Sequence, residues 1–182
     1  MDIATLHSVT EDLAGYISEL TVSDLGRPTH ADSVDVGDLY LSLLERNKQL
    51  SAGILGQGED SMSPSGTPDR EALILSANLT GGGFESEYRS SARKLESAFA
   101  SVTDPEVVVS IPGVSGTHEV AELVETQIRD TVIHTWDVVQ ALGIDDYAPK
   151  PEVAERIVQY VRAHPEEADS RILEKLLESS DK

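Results

Sequence analysis

Between Thr117 and Leu142 the chain keeps apolar residues at helical spacing with no proline or glycine to interrupt them. A helix of that length must be covered along its side, so the fold is restricted to those that pack long helices against one another. Successive positions step by roughly 100°, which gathers Val120, Val124, Ile128, Val132, Val138, Val139 and Leu142 into one broad apolar sector. Thr117 is the expected cap at its start and Gly143 closes its end.

Three further segments supply the cover. Leu6, Val9, Leu13, Ile17 and Leu20 recur at spacings of three and four and predict a helix over residues 4–20. Val36, Leu39, Tyr40, Leu43, Leu44 and Leu50 predict a second, which Asp35 is placed to cap. Phe84, Tyr88, Ala92, Leu95, Ala98 and Phe99 line one side of a third, over residues 84–101. The connectors are irregular: residues 57–68 are rich in Gly, Ser and Pro, and a glycine run at 81–83 breaks the chain again. Between them REALILSA reads either as a short helix, capped by Thr67 with Pro68 in its first turn, or as a strand. The β-branched run EVVVSIPG predicts a short strand or extended edge near 106–111. Pro151 and Pro165 open two short C-terminal helices, about 151–163 and 166–179. The expected fold is all-α: a four-helix bundle in a single domain spanning 1–182, with its core at 4–143 and a helical extension at 150–180.

The 182 residues are enough to bury a sizeable core without disulfides or structural metals. Cysteine is absent, which removes thiolate nucleophiles and Cys-based zinc or iron–sulfur sites. With 14 basic against 33 acidic residues the formal charge is −19, which repels phosphate backbones and anionic membranes. Nucleic acid is therefore not an expected partner. No stretch reaches the roughly 20 apolar residues of a membrane span, and the N-terminus has neither a basic start nor a continuous apolar core, so a cytoplasmic protein is expected.

Asp130 and His134 stand four apart on the long helix, on one face and one turn apart, the spacing at which two side chains chelate one divalent ion. Carboxylate plus imidazole suits zinc or nickel. A catalytic zinc generally has three protein ligands, so the pair needs a donor from another helix. Asp130 and Asp137 lie beyond the apolar sector toward Glu122, Thr126 and Gln140. Periodicity leaves open whether they face a pocket or water. Trp136, the one tryptophan, reads as packing or as a stacking surface, and Asp137 as a group that orients a ligand or as a solvated carboxylate.

The stretch RDTVIHTWDVVQALG, residues 129–143, resembles the signature of actinobacterial DinB-like proteins grouped with mycothiol-dependent maleylpyruvate isomerase. RPTHADSVDVGDLYLSLL, residues 27–44, is similar to that family's segment leading into its second helix, and YRSSARKLESAFA to its third helix. The resemblance implies a DinB-like bundle over residues 4–143, a metal held by a second-helix His with the carboxylate and His of the long helix, and mycothiol or another small thiol as cosubstrate. Asp130 and His134 carry over as metal ligands. Aligned without gaps from Pro28, Ser42 falls where the third ligand is expected, Val34 where the family has Trp, and Ala31 where it has Cys. Serine is a poor zinc ligand, so the inherited site is expected to hold metal weakly or not at all. His7, His30 and His118 are the remaining imidazoles from which a replacement donor could come. Arg46, one turn beyond Ser42, reads either as an ordinary exposed helix cation or as a group that lines the same pocket and pairs with Asp130 in place of the ion.

Two classes of function follow. As an enzyme, the chain would be a metal-dependent thiol S-transferase or isomerase relative; isomerase activity itself is not expected, because the resemblance implies a further C-terminal domain where this sequence has two short helices and ESSDK. As a binding protein, it would keep a small-molecule pocket without the ion, or present a helix face to a second copy as a homodimer.

Overall fold

In a computed structural model of the chain, residues 1–29, 33–57, 70–79, 83–144 and 147–163 are described. Helix α1, Ile3–Ile17, starts where the Asp2 carboxylate accepts from the Thr5 N–H at 3.0 Å and the Thr5 hydroxyl at 2.7 Å. It buries Leu6, Val9, Leu13 and Ile17, as the periodicity requires. The helix stops short of Leu20, which is buried beyond its end in a turn closed by Leu20 N–H to Ile17 C=O. A single 3₁₀ turn, Val22–Asp24, follows, with the Asp24 carboxylate accepting from the Thr21 N–H and hydroxyl.

Helix α2, Val36–Ile54, is capped as expected: Asp35 accepts from the Asp38 N–H at 3.0 Å. The same carboxylate takes the Arg70 guanidinium at 2.7 Å, and a second Arg70 nitrogen donates to Leu25 C=O at 2.8 Å. Arg70 thereby ties α3, Arg70–Leu79, to the approach of α2. The helical reading of REALILSA holds; Thr67 and Pro68 lie outside the described residues, as do His30, Ala31 and the predicted helix at 166–179.

Helix α4, Gly83–Ala100, packs beside α2. Tyr40 OH donates to Phe84 C=O at 2.7 Å and Asn47 Nδ2 to Ser91 Oγ at 3.0 Å. Both contacts join residues separated by the same interval, so α2 and α4 run parallel in register. Against α1 the order reverses: Glu11 pairs with Arg89 and His7 with Glu96, so α1 and α4 are antiparallel.

The long helix begins later than its sequence suggests. Strand β1, Val108–Val109, pairs antiparallel with β2, His118–Glu119, and α5 runs Val120–Ala141. Thr117 is not the cap; Glu119, in extended conformation, holds that position without a side-chain hydrogen bond. The first-turn donors are met by backbone instead, Val120 N–H by Val107 C=O and Ala121 N–H by Pro105 C=O. That is why no capping side chain is needed. At the other end Gly143 takes φ +75 and donates to Gln140 C=O, the closure expected of it.

Leu13 and Ile17 of α1, Val36 and Tyr40 of α2, Phe84 and Tyr88 of α4 and Val138 of α5 form the heart of the core. The chain divides into two compact units, 1–143 and 144–182. The first holds the elements α1 to α5; in the second, α6 spans Pro151–Ala163, starting at proline as predicted, and buries Val153, Ile157 and Val161 on one stripe. No described helix is long and apolar enough to cross a membrane.

Candidate functional site

Asp130 and His134 do lie on one face of α5, half-exposed, but their side chains engage different partners. Asp130 Oδ1 sits 3.4 Å from Arg129 Nε. His134 Nδ1 faces forward along the helix to Asp137 Oδ2 at 3.7 Å, too far for a hydrogen bond, and is a buried atom with no hydrogen-bond partner among the described residues. Asp137 is largely covered and makes further interactions of its own, and Trp136 is buried in the core. Beneath this face Thr131 and Thr135 are fully buried, their hydroxyls donating back to Gln127 C=O and Thr131 C=O at 2.7 Å each.

On α2 the expected partners make no hydrogen bond or ion pair with Asp130 or His134 among the described residues. Ser42 is exposed, with its hydroxyl donating to Leu39 C=O at 2.7 Å. Arg46 is half-buried and makes no ion pair among the described residues, so the alternative of a bridge to Asp130 is not realised and Asp130 faces Arg129. The reason is local: a guanidinium beside Asp130 on the same helix reaches it without crossing the bundle. Of the reserve imidazoles, His7 Nδ1 lies 3.0 Å from Glu96 at the α1–α4 contact, and His118 sits in β2 with Nε2 buried and unpartnered. Among the described residues no three His, Asp or Glu side chains are grouped to hold an ion. Among the described residues the two donors, one facing an arginine, fall short of the three protein ligands of a catalytic zinc.

What joins α2 to α5 is a buried amide pair. Gln127 Nε2 donates to Asn47 Oδ1 at 3.3 Å, and Asn47 passes the chain of bonds to Ser91 on α4. Gln127 Oε1 remains buried without a partner among the described residues. On the α4 side of Asn47 the helices α2 and α4 enclose a cleft of about 670 Å³. Leu44, Ala52, Leu55 and Ala98 give it apolar walls, and Lys48, Arg93 and Lys94 stand at its edge with Glu45 and Glu87. Sequence reasoning passed over it, although two signals were present: Asn47 interrupts an apolar stripe, and Arg93-Lys94 is a basic pair in an acidic chain.

The family model for the mycothiol maleylpyruvate isomerase N-terminal domain matches the chain over residues 6–139. The chain belongs to this family. Comparison with curated proteins and with solved structures gives no match. The family match runs from the first turn of α1 to the last turn of α5, and so takes in Ser42, Asp130, His134 and the whole α2–α4 cleft.

Proposed function

We propose that the protein is a cytosolic, small-molecule-binding member of the mycothiol maleylpyruvate isomerase N-terminal domain family that works without a resident metal. One observation carries this reading: at the expected third-ligand position Ser42 has a hydroxyl committed to Leu39 C=O, while Asp130 faces Arg129. A ligand ion would have to displace a guanidinium from Asp130 and recruit a donor from elsewhere. The cleft between α2 and α4 is of the size that small-molecule sites take, about 300–1,000 Å³.

A thiol-dependent transferase is the second reading, and the half-exposed His134 imidazole on the long helix favours it. A neutral imidazole nitrogen there would accept the proton of a small thiol such as mycothiol, making the thiolate that attacks an electrophile.

The test is metal retention. Protein exposed to zinc and to nickel and then dialysed is expected to keep far less than one ion per chain, and His134→Ala to leave that residue of metal unchanged. Retention of a full equivalent that His134→Ala abolishes would overturn the metal-free reading. A rise in melting temperature with a small thiol, lost in the same variant, would favour the transferase reading instead.

A further inference from the structure

The α2–α4 cleft inverts the charge of the chain that surrounds it. The protein carries 33 acidic and 14 basic residues, yet three cations and two carboxylates border this cavity. Lys48, Arg93 and Lys94 have no ion-pair partner among the described residues, whereas Glu45 already accepts from Gln49 Nε2 at 3.1 Å. Two of the three serine hydroxyls in the wall are engaged too, Ser51 with Asn47 C=O and Ser91 with Tyr88 C=O. For an anionic group the three cations are the charge-complementary partners that this wall offers. Leu44, Ala52, Leu55 and Ala98 supply apolar surface, and Leu55 stands 51 % exposed at the cavity although leucine gains by burial. An occupant with an apolar body and one anionic end would cover Leu55 and meet the cations together.

We propose that this cleft binds a small amphiphilic carboxylate, its tail against Leu44, Ala52 and Leu55 and its carboxylate at Lys48, Arg93 and Lys94. The proposal rests on the reading of the protein as a small-molecule binder and assigns that reading a place and a ligand class. The field of the whole chain opposes it, since a net charge of −19 attracts cations and repels anions. Preference for an anion must then come from the cleft itself, which makes charge selectivity a sharp test.

The full-length protein is titrated with octanoate, octan-1-ol and octylammonium at fixed ionic strength, following heat of binding and melting temperature. Octanoate is expected to bind more tightly than octan-1-ol, and octylammonium most weakly. In Lys48→Gln/Arg93→Gln/Lys94→Gln, octanoate is expected to lose about tenfold in affinity while octan-1-ol is unaffected. Octylammonium binding as well as octanoate, absence of binding by all three, or octanoate selectivity that survives the triple substitution would each overturn the proposal. The comparison among the three ligands uses the unsubstituted protein, so it stands even if the variant folds poorly. A rise in melting temperature with a small thiol in the absence of any response to the three octyl ligands would keep the small-molecule reading while the cleft assignment fails, so the two failures are told apart.

Discussion

Gly53 shows how closely a single position is held. It lies in the last turn of α2, where a Cβ would come 2.5 Å from Ile111 Cδ1 and 2.7 Å from Ser110 C=O. The obstacle is partly backbone and cannot swing aside. Gly53→Ala is expected to cost about 1–3 kcal/mol by overpacking, read as a lower urea midpoint; an unchanged midpoint would mean that the 110–111 segment yields freely. At this same scale the Asp130–His134 spacing was legible from the helical repeat, and so was the cap at Asp35. The direction of each side chain was not. Arg129 and Asp137, neighbours on the same helix, are the groups that Asp130 and His134 face, and a repeat of 3.6 residues says nothing of that choice.

Among the elements, the α2–α5 contact turns on Asn47 and Gln127, both buried, in positions where the surrounding stripes are apolar. Asn47→Ala would leave Gln127 Nε2 buried and unpaired, at an expected cost of about 1–3 kcal/mol. Replacing both residues, as Asn47→Leu/Gln127→Leu, is expected to cost less than the single change, because no buried donor is then orphaned. Urea unfolding of the two variants decides it; a double variant less stable than Asn47→Ala would show that shape, not polarity, governs the contact. The helices α1, α2, α4 and α5 were each readable as amphipathic segments, and β1 as a short β-branched run. Its partner β2 was hidden, because His118 and Glu119 continue smoothly into the pattern of α5 and only pairing with Val108 and Val109 sets them apart. The parallel register of α2 and α4, from which the cleft arises, is likewise a property of two elements together.

Over the whole molecule the acidity sets a pH response. Hydrogen bonds from the Thr21 hydroxyl and N–H hold the Asp24 carboxyl below its usual range, against some burial and with help from Arg27. Burial works to raise Asp35, but the Asp38 N–H, the Arg70 guanidinium and the Gly37 N–H outweigh it and hold that carboxyl low as well. A carboxyl that is more acidic folded than unfolded stabilises the fold fully above its unfolded pKa, and the contribution disappears as pH falls through the folded value. Asp24→Asn/Asp35→Asn is therefore expected to be less stable than the parent at neutral pH, with the gap closing below about pH 4. Urea midpoints across that range measure it; a gap independent of pH would assign the loss to geometry and not to charge. Sequence by itself determined the helical class, the long amphipathic segments that become α1, α2, α4 and the body of α5, the acidic composition and the family resemblance, because each follows from local periodicity, composition or a contiguous string of residues. Only the tertiary structure decided which partner each charged group of α5 meets, where α5 begins, and that an apolar cleft edged by cations opens between α2 and α4. Those outcomes depend on distances between residues far apart in the chain, which no local pattern encodes.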